Sequence, residues 1–206
     1  MKNLSIITFF TLLLAFICDV QAQEQKVEFD PAKLKAEYFA EKEIKDKLEF
    51  SDKKGNQYRI RNSDYSKGLY IKKDDKWLKH GIWFSHSSGR LTSQTTWSFG
   101  KREGAYISYH SNGEKNFEYE YKNDVKDGNW FQYNDKGKLV EQKVYKNGIL
   151  EGPKISYHSN GEKSFTSTYV NGELHGEKLQ YNDRGKLVAR TKYNMGEKVG
   201  KTESFY

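Results

Sequence analysis

From Tyr109 onward the chain repeats itself every 24 residues without a gap. The blocks are YHSNGEKNFEYEYKNDVKDGNWFQ from Tyr109, YNDKGKLVEQKVYKNGILEGPKIS from Tyr133, YHSNGEKSFTSTYVNGELHGEKLQ from Tyr157 and YNDRGKLVARTKYNMGEKVGKTES from Tyr181. A looser copy, SHSSGRLTSQTTWSFGKREGAYIS, begins at Ser85, so five units cover 85–204. The first and third quoted blocks agree at 12 of 24 positions and the second and fourth at 11 of 24, which lays a 48-residue duplication over the 24-residue unit. A unit this short is one supersecondary element, and it buries an apolar side only by stacking on its neighbours. The period therefore directs the chain to an array rather than to a globule with one central core.

Glycine marks two phases of each unit: Gly89, Gly113, Gly137, Gly161 and Gly185, then Gly104, Gly128, Gly152, Gly176 and Gly200. Glycine reaches positive φ at no steric cost, so both phases are expected as turns. Asn147-Gly148 and Asn171-Gly172 strengthen the expectation, because Asn-Gly favours the tight turns that join antiparallel strands. Each unit is then a hairpin of two short strands.

The alternation agrees. Three and five residues after the second glycine stand Ile107 and Tyr109, Phe131 and Tyr133, Ile155 and Tyr157, and Leu179 and Tyr181. Eight residues after the first glycine stand Trp97, Tyr121, Tyr145, Tyr169 and Tyr193. Even spacing places each set on one face of its strand, with Glu, Lys, Gln, Ser and Thr between. Trp83, Tyr106 and Trp130 fall on the face opposite the Ile107/Tyr109 stripe. If that stripe is the core, these rings are exposed anchors for a protein or sugar partner. If both faces are partly covered, by an N-terminal helix or by twist, they are not.

Residues 23–80 depart from the period. Asp30-Pro31 reads as a helix cap followed by a first-turn proline, and Leu34, Tyr38, Ile44 and Leu48 share one helical face, so a helix is expected over about 31–48. Tyr58, Ile60, Tyr70 and Ile71 suggest degenerate strands that cap the array, with the repeats proper over 81–206. Before this section, Lys2, the apolar run Leu4–Ile17 and Val20-Gln21-Ala22 form a secretory signal peptide over 1–22. Its fourteen apolar residues reach about 21 Å as a helix, short of the roughly 30 Å hydrocarbon core. Cys18 is the only cysteine; a lipoprotein would acylate it, but bulky Ile17 precedes it, so cleavage after Ala22 and a thiol-free secreted or periplasmic chain are expected.

The segment Tyr169-Val170-Asn171-Gly172-Glu173-Leu174-His175-Gly176, with its weaker copy from Tyr145 through Gly152, resembles the bacterial variant of the MORN repeat, found in proteins labelled YwqK-type antitoxins. The resemblance spans about 85–204. It implies an all-β, elongated single sheet of stacked hairpins behind the short helical cap, acting as a binding surface, and it implies no catalytic residues. Two departures stand out: Asp124 occupies a turn-glycine position, and Lys101-Arg102-Glu103 precedes Gly104. With an export signal, an antitoxin role would have to be an immunity role in the envelope or outside the cell.

Composition narrows the chemistry. The 206 residues carry a formal charge of +7 with 31% charged residues, which would suit a disordered chain, but 15 Tyr, 12 Phe, 4 Trp and only 2 Pro do not. Lys alternates with Glu and Asp, as in Lys143 and Lys146 beside Glu141, so the positive balance reads as a solvated face and, with export, speaks against nucleic acid. His86, His110 and His158 stand at matching positions, but units two strands apart are about 9.5–10 Å distant, too far to share a zinc ion held at roughly 2.0–2.1 Å. Ser85, Ser108 and Ser156 lack the strand-to-helix elbow of a hydrolase nucleophile. The expectation is a non-enzymatic module with no metal and no cofactor that binds a protein partner; anionic lipid or cell-wall glycan is the alternative partner.

Overall fold

The computed structural model describes residues 46–205 except Leu48 and Lys53. The signal peptide expected over 1–22 lies outside the described residues, and so does the helix expected over 31–48 apart from residues 46 and 47, which form a turn with Lys47 at φ 66°.

Fourteen strands follow in chain order: β1 (Glu49–Ser51), β2 (Gln57–Asn62), β3 (Ser66–Lys73), β4 (Lys76–Ser87), β5 (Arg90–Ser98), β6 (Lys101–Tyr109), β7 (Lys115–Lys122), β8 (Val125–Tyr133), β9 (Leu139–Lys146), β10 (Ile149–Tyr157), β11 (Lys163–Val170), β12 (Glu173–Tyr181), β13 (Leu187–Asn194) and β14 (Glu197–Ser204). Among the described residues each pairs antiparallel with the next in one sheet, with β1 and β14 as its edge strands. Thirteen inter-strand steps of about 4.8 Å give a sheet roughly 62 Å long. Twisting by about 20–25° at each step, such a sheet is a coiled ribbon rather than a plane.

The two glycine phases have different structural jobs. Gly113, Gly137, Gly161 and Gly185 close the loops between hairpins, their N–H groups donating to His110 O, Asn134 O, His158 O and Asn182 O at 2.9–3.0 Å. The second phase does not form turns, contrary to expectation. Gly104, Gly128, Gly152, Gly176 and Gly200 lie inside strands, at bulges. Tyr119 faces Trp130 and Tyr121 faces Lys126, so two residues' advance along β7 meets four along β8, with Gly128 in the excess at φ 105°. That conformation is costly for any residue with a Cβ, which is why glycine recurs there although it turns no corner.

The chain reverses instead at pairs with both central residues at positive φ: Asp74-Asp75, Phe99-Gly100, Asn123-Asp124, Asn147-Gly148, Asn171-Gly172 and Met195-Gly196. The last five of these pairs stand two residues before the bulge segment, and Asp74-Asp75 stands five residues before it. This is the hairpin turn whose twist matches the strands it joins. Asp124 replaces glycine at φ 68°, and its Oδ1 accepts from Arg102 N at 2.9 Å and Arg102 Nε at 3.0 Å. The β3–β4 pair has the same turn at Asp74-Asp75 and the same bulge at Gly81, so the structural repeat reaches back past the boundary expected at 81, which falls inside β4.

The core sits at the N-terminal end, where Tyr58, Ile60, Leu69, Ile71 and Phe84 cluster with Phe50, Leu78 and Leu91 against them. Two imidazoles border this region. Nδ1 of His80 and of His86 is buried with no hydrogen-bond partner among the described residues. Burial lowers both pKa values from 6.5, with Lys67 adding to the effect at His86. Above about 6.5 both imidazoles are neutral folded or unfolded and their contribution is full. As pH falls below that value the unfolded chain takes up protons first, and stability declines until pH passes the lowered folded values. Thermal melts should therefore show Tm falling between about pH 7 and pH 5, with a flatter slope in His80→Gln/His86→Gln. An equal slope in that variant would remove the imidazoles as the cause.

Candidate binding surface

Strand register sorts the side chains into two unlike faces. One row runs Trp83, Thr95, Tyr106, Tyr119, Trp130, Lys143, Lys154 and Ser167, each the cross-strand partner of the next; across the β11–β12 bulge it continues at Lys178, next to the Thr166↔Leu179 pair, and Lys178 pairs with Thr191. The opposite face carries Phe84, Gln94, Ile107, Glu118, Phe131, Gln142 and Ile155 in the same way. The first face thus changes along the sheet from rings to ammonium groups, because the position two residues after the bulge glycine is Trp83, Tyr106 and Trp130 early and Lys154 and Lys178 later.

Cations lie over rings on this face. Lys79 Nζ is 4.4 Å from the Trp83 centroid and 4.6 Å from that of Trp97. Arg102 Cζ is 4.0 Å over Tyr121, Lys126 Nζ 4.6 Å over Tyr119 and Lys143 Nζ 3.8 Å over Trp130. Farther along, Lys178 Nζ stands 5.1 Å over Phe165. An ammonium on the π face gains electrostatic attraction while keeping its outer side wet. Some cations also have carboxylate partners: Arg102 has Asp124, and Glu141 bridges Lys143 at 3.0 Å and Lys154 at 2.8 Å. Burial works against charge at Glu141, but bonds from Lys154 and Lys143 hold its carboxyl below the ordinary range. No ion pair joins Lys79, Lys126 or Lys178 to a carboxylate of the described residues. Burial lowers the pKa of Lys79.

The two edges are stitched from hairpin to hairpin. At the turn edge, the residue before the bulge glycine reaches the next turn: Glu103 Oε2 accepts from Asn123 N, Asp127 Oδ2 from Asn147 N and Glu151 Oε2 from Asn171 N, at 2.7–2.9 Å. The bulge explains why an acid precedes glycine in these units, since it aims that side chain along the array. At the loop edge, His110 Nε2 donates to Tyr133 O and Asn112 Nδ2 to Asp135 O; a unit pair later His158 Nε2 donates to Tyr181 O and Asn160 Nδ2 to Asp183 O. Asn134 and Asn182 instead close their own loops, each Oδ1 accepting two backbone N–H groups. Loops that reach the next one through His and Asn side chains thus alternate with loops whose Asn closes on two backbone N–H groups and whose onward link, where one is seen, is a lysine, Lys138 Nζ donating to Ser159 O, and this alternation follows the 48-residue duplication.

A shallow cavity of about 380 Å³ opens at this loop edge, lined by Arg90, Leu91, Tyr109, His110 and Ser111–Gly113. The imidazole of His110 donates from Nε2 to Tyr133 O, and burial raises the pKa of Tyr109. Among the described residues no group of three His, Cys, Asp or Glu side chains is arranged to hold a metal ion.

The three rings singled out from sequence share one face, as expected, but two of them are not exposed anchors. Trp83 is 4% and Trp130 7% exposed. Trp83 lies flat on the Gly68 backbone, donates from Nε1 to Leu69 O at 2.8 Å and meets Tyr70 edge-on at 4.8 Å. Trp130 is covered by Phe117 and the Lys143 ammonium. Tyr106 is half-buried and stacks on Tyr119 at 4.7 Å. Neighbouring side chains of the same face cover the rings, so the surface that reaches solvent is made of the cations above them. Sequence reasoning missed these cations, although Lys143 is two residues from both Glu141 and Tyr145 and so must share their face.

The fold and this surface define an open β-hairpin repeat array whose positions recur along a line instead of converging on a pocket. The chain matches no family model and no curated protein.

Proposed function

We propose that the chain is an exported, non-enzymatic repeat scaffold that binds a protein partner, in an immunity or antitoxin-like role, as its resemblance to the bacterial MORN-variant repeats implies. One observation carries the reading. Equivalent side chains stand a unit apart on an open fourteen-stranded sheet, so the chain offers a long, graded surface, whereas catalysis needs unlike groups brought within hydrogen-bond reach of one another. Half-buried polar and aromatic rows over tens of ångströms suit a partner of protein size.

The test is capture from envelope and secreted fractions by the mature chain, with vesicles of anionic lipid and purified peptidoglycan sedimented in parallel. A protein retained at stoichiometric level is the expected result. Sedimentation with vesicles or peptidoglycan and no retained protein would overturn the reading in favour of an envelope-polymer module. Mass spectrometry of the exported chain should find Gln23 first; an acylated Cys18 would make it a membrane-anchored lipoprotein instead.

A further inference from the structure

We propose that the ring-and-cation face between β4 and β12 is the docking surface for an extended acidic segment of the partner protein. This rests on the protein-binding reading above and names the face and the partner's chemistry.

The two faces differ in charge. On the ring-bearing face stand Lys79, Arg102, Lys126, Lys143, Lys154 and Lys178, and the carboxylates paired with them are Asp124 and Glu141. The opposite face mixes signs, with Arg190 held by Glu177 and Glu203, and Lys115 by Glu118. Lys79, Lys126 and Lys178 are the open positions: each has a ring beneath it and no carboxylate partner among the described residues. They stand on β4, β8 and β12, evenly spaced by four strands, or about 19 Å per interval and 38 Å in all.

That geometry selects among polyanions. The ring faces are occupied by ammonium groups at 3.8–5.1 Å, so they are not free platforms on which bases or sugar rings would stack. A planar bilayer fits poorly, because eight steps of about 20–25° turn the stripe through roughly half a revolution. An extended polypeptide can follow such a path; at about 3.3 Å per residue it needs some twelve residues to run from Lys79 to Lys178. Acidic side chains would meet ammonium groups already partly desolvated by their rings, where attraction exceeds that between freely hydrated ions.

The test uses the full mature chain and a fluorescent Glu-rich peptide of about 16 residues, with binding followed by polarisation at two salt concentrations. Lys79→Gln/Lys126→Gln/Lys178→Gln should weaken binding about tenfold and flatten the salt dependence. Lys115→Gln/Arg190→Gln/Lys192→Gln on the opposite face, where Lys192 stands across from Glu177, should leave affinity within about twofold, and circular dichroism checks that both variants fold. Equal losses from the two variants would overturn the proposal, leaving only unspecific attraction by net charge. So would tighter binding of heparin, single-stranded DNA or anionic vesicles than of the peptide with the same variant dependence. Retention of the captured partner by the first variant would sink the docking face while leaving the scaffold reading intact; capture of no protein by the unaltered chain sinks the scaffold reading itself.

Discussion

Gly68→Ala should destabilise the protein by about 3–5 kcal/mol, enough to leave it largely unfolded at ordinary temperature. Gly68 is the one β3 residue on which the Trp83 indole lies flat, and a Cβ there would fall 2.5–2.6 Å from Cδ2, Cε2 and Cγ of that ring. Nothing flexible can give way, because the indole is held by its Nε1 bond to Leu69 O and by Tyr70 against its edge. Displacing it breaks that buried bond. Gly176→Ala is the contrast: at φ 82° with nothing within 4 Å of a Cβ, it suffers backbone strain alone, about 1–2 kcal/mol. Urea melts of the two variants give the comparison, and Gly68→Ala/Trp83→Leu should recover part of the loss by removing the ring. Equal effects from Gly68→Ala and Gly176→Ala would show that contact with Trp83 is not the constraint.

Gly68 shows where the sequence stopped being legible. The 24-residue period, the Asn-Gly turns and the alternation of rings with polar residues specified the strand order and faces of β5–β14, because each depends only on neighbours in the chain. The bulges were not legible. A recurring glycine signals positive φ equally well at a turn or inside a strand, and only the register of Tyr119 against Trp130 and Tyr121 against Lys126 shows which it is at Gly128. Nor was the cover on Trp83 and Trp130: it comes from Lys79 and Lys143, which read one at a time are ordinary solvated lysines but in register are caps on the rings beside them. The β3–β4 hairpin was hidden for a third reason. Its turn is Asp74-Asp75 in place of Asn-Gly, and its bulge glycine lies 23 residues before Gly104, one short of the period.

Leu69→Ala should cost about 2–5 kcal/mol, whereas Leu179→Ala should cost about 1 kcal/mol. Leu69 is 1% exposed at the centre of the β2–β4 cluster, while Leu179 on β12 is half-buried. The difference extends beyond two side chains. Every buried apolar residue found among the described residues lies between Tyr58 and Trp130, and every residue of β14 is exposed. In an array whose units contact only adjacent units, each hairpin then depends on the edge presented by the one before it, so local stability should decline from β3 toward β14. Native-state hydrogen exchange measures this directly. Amides of β13 and β14 should exchange by local fraying at low free energy and be unaffected by Leu69→Ala, whereas those of β2–β4 should exchange only through global unfolding and lose protection by the full destabilisation. If β14 is as protected as β3 and both respond equally to Leu69→Ala, the sheet unfolds as one cooperative unit and the dependence of outer hairpins on an N-terminal core fails.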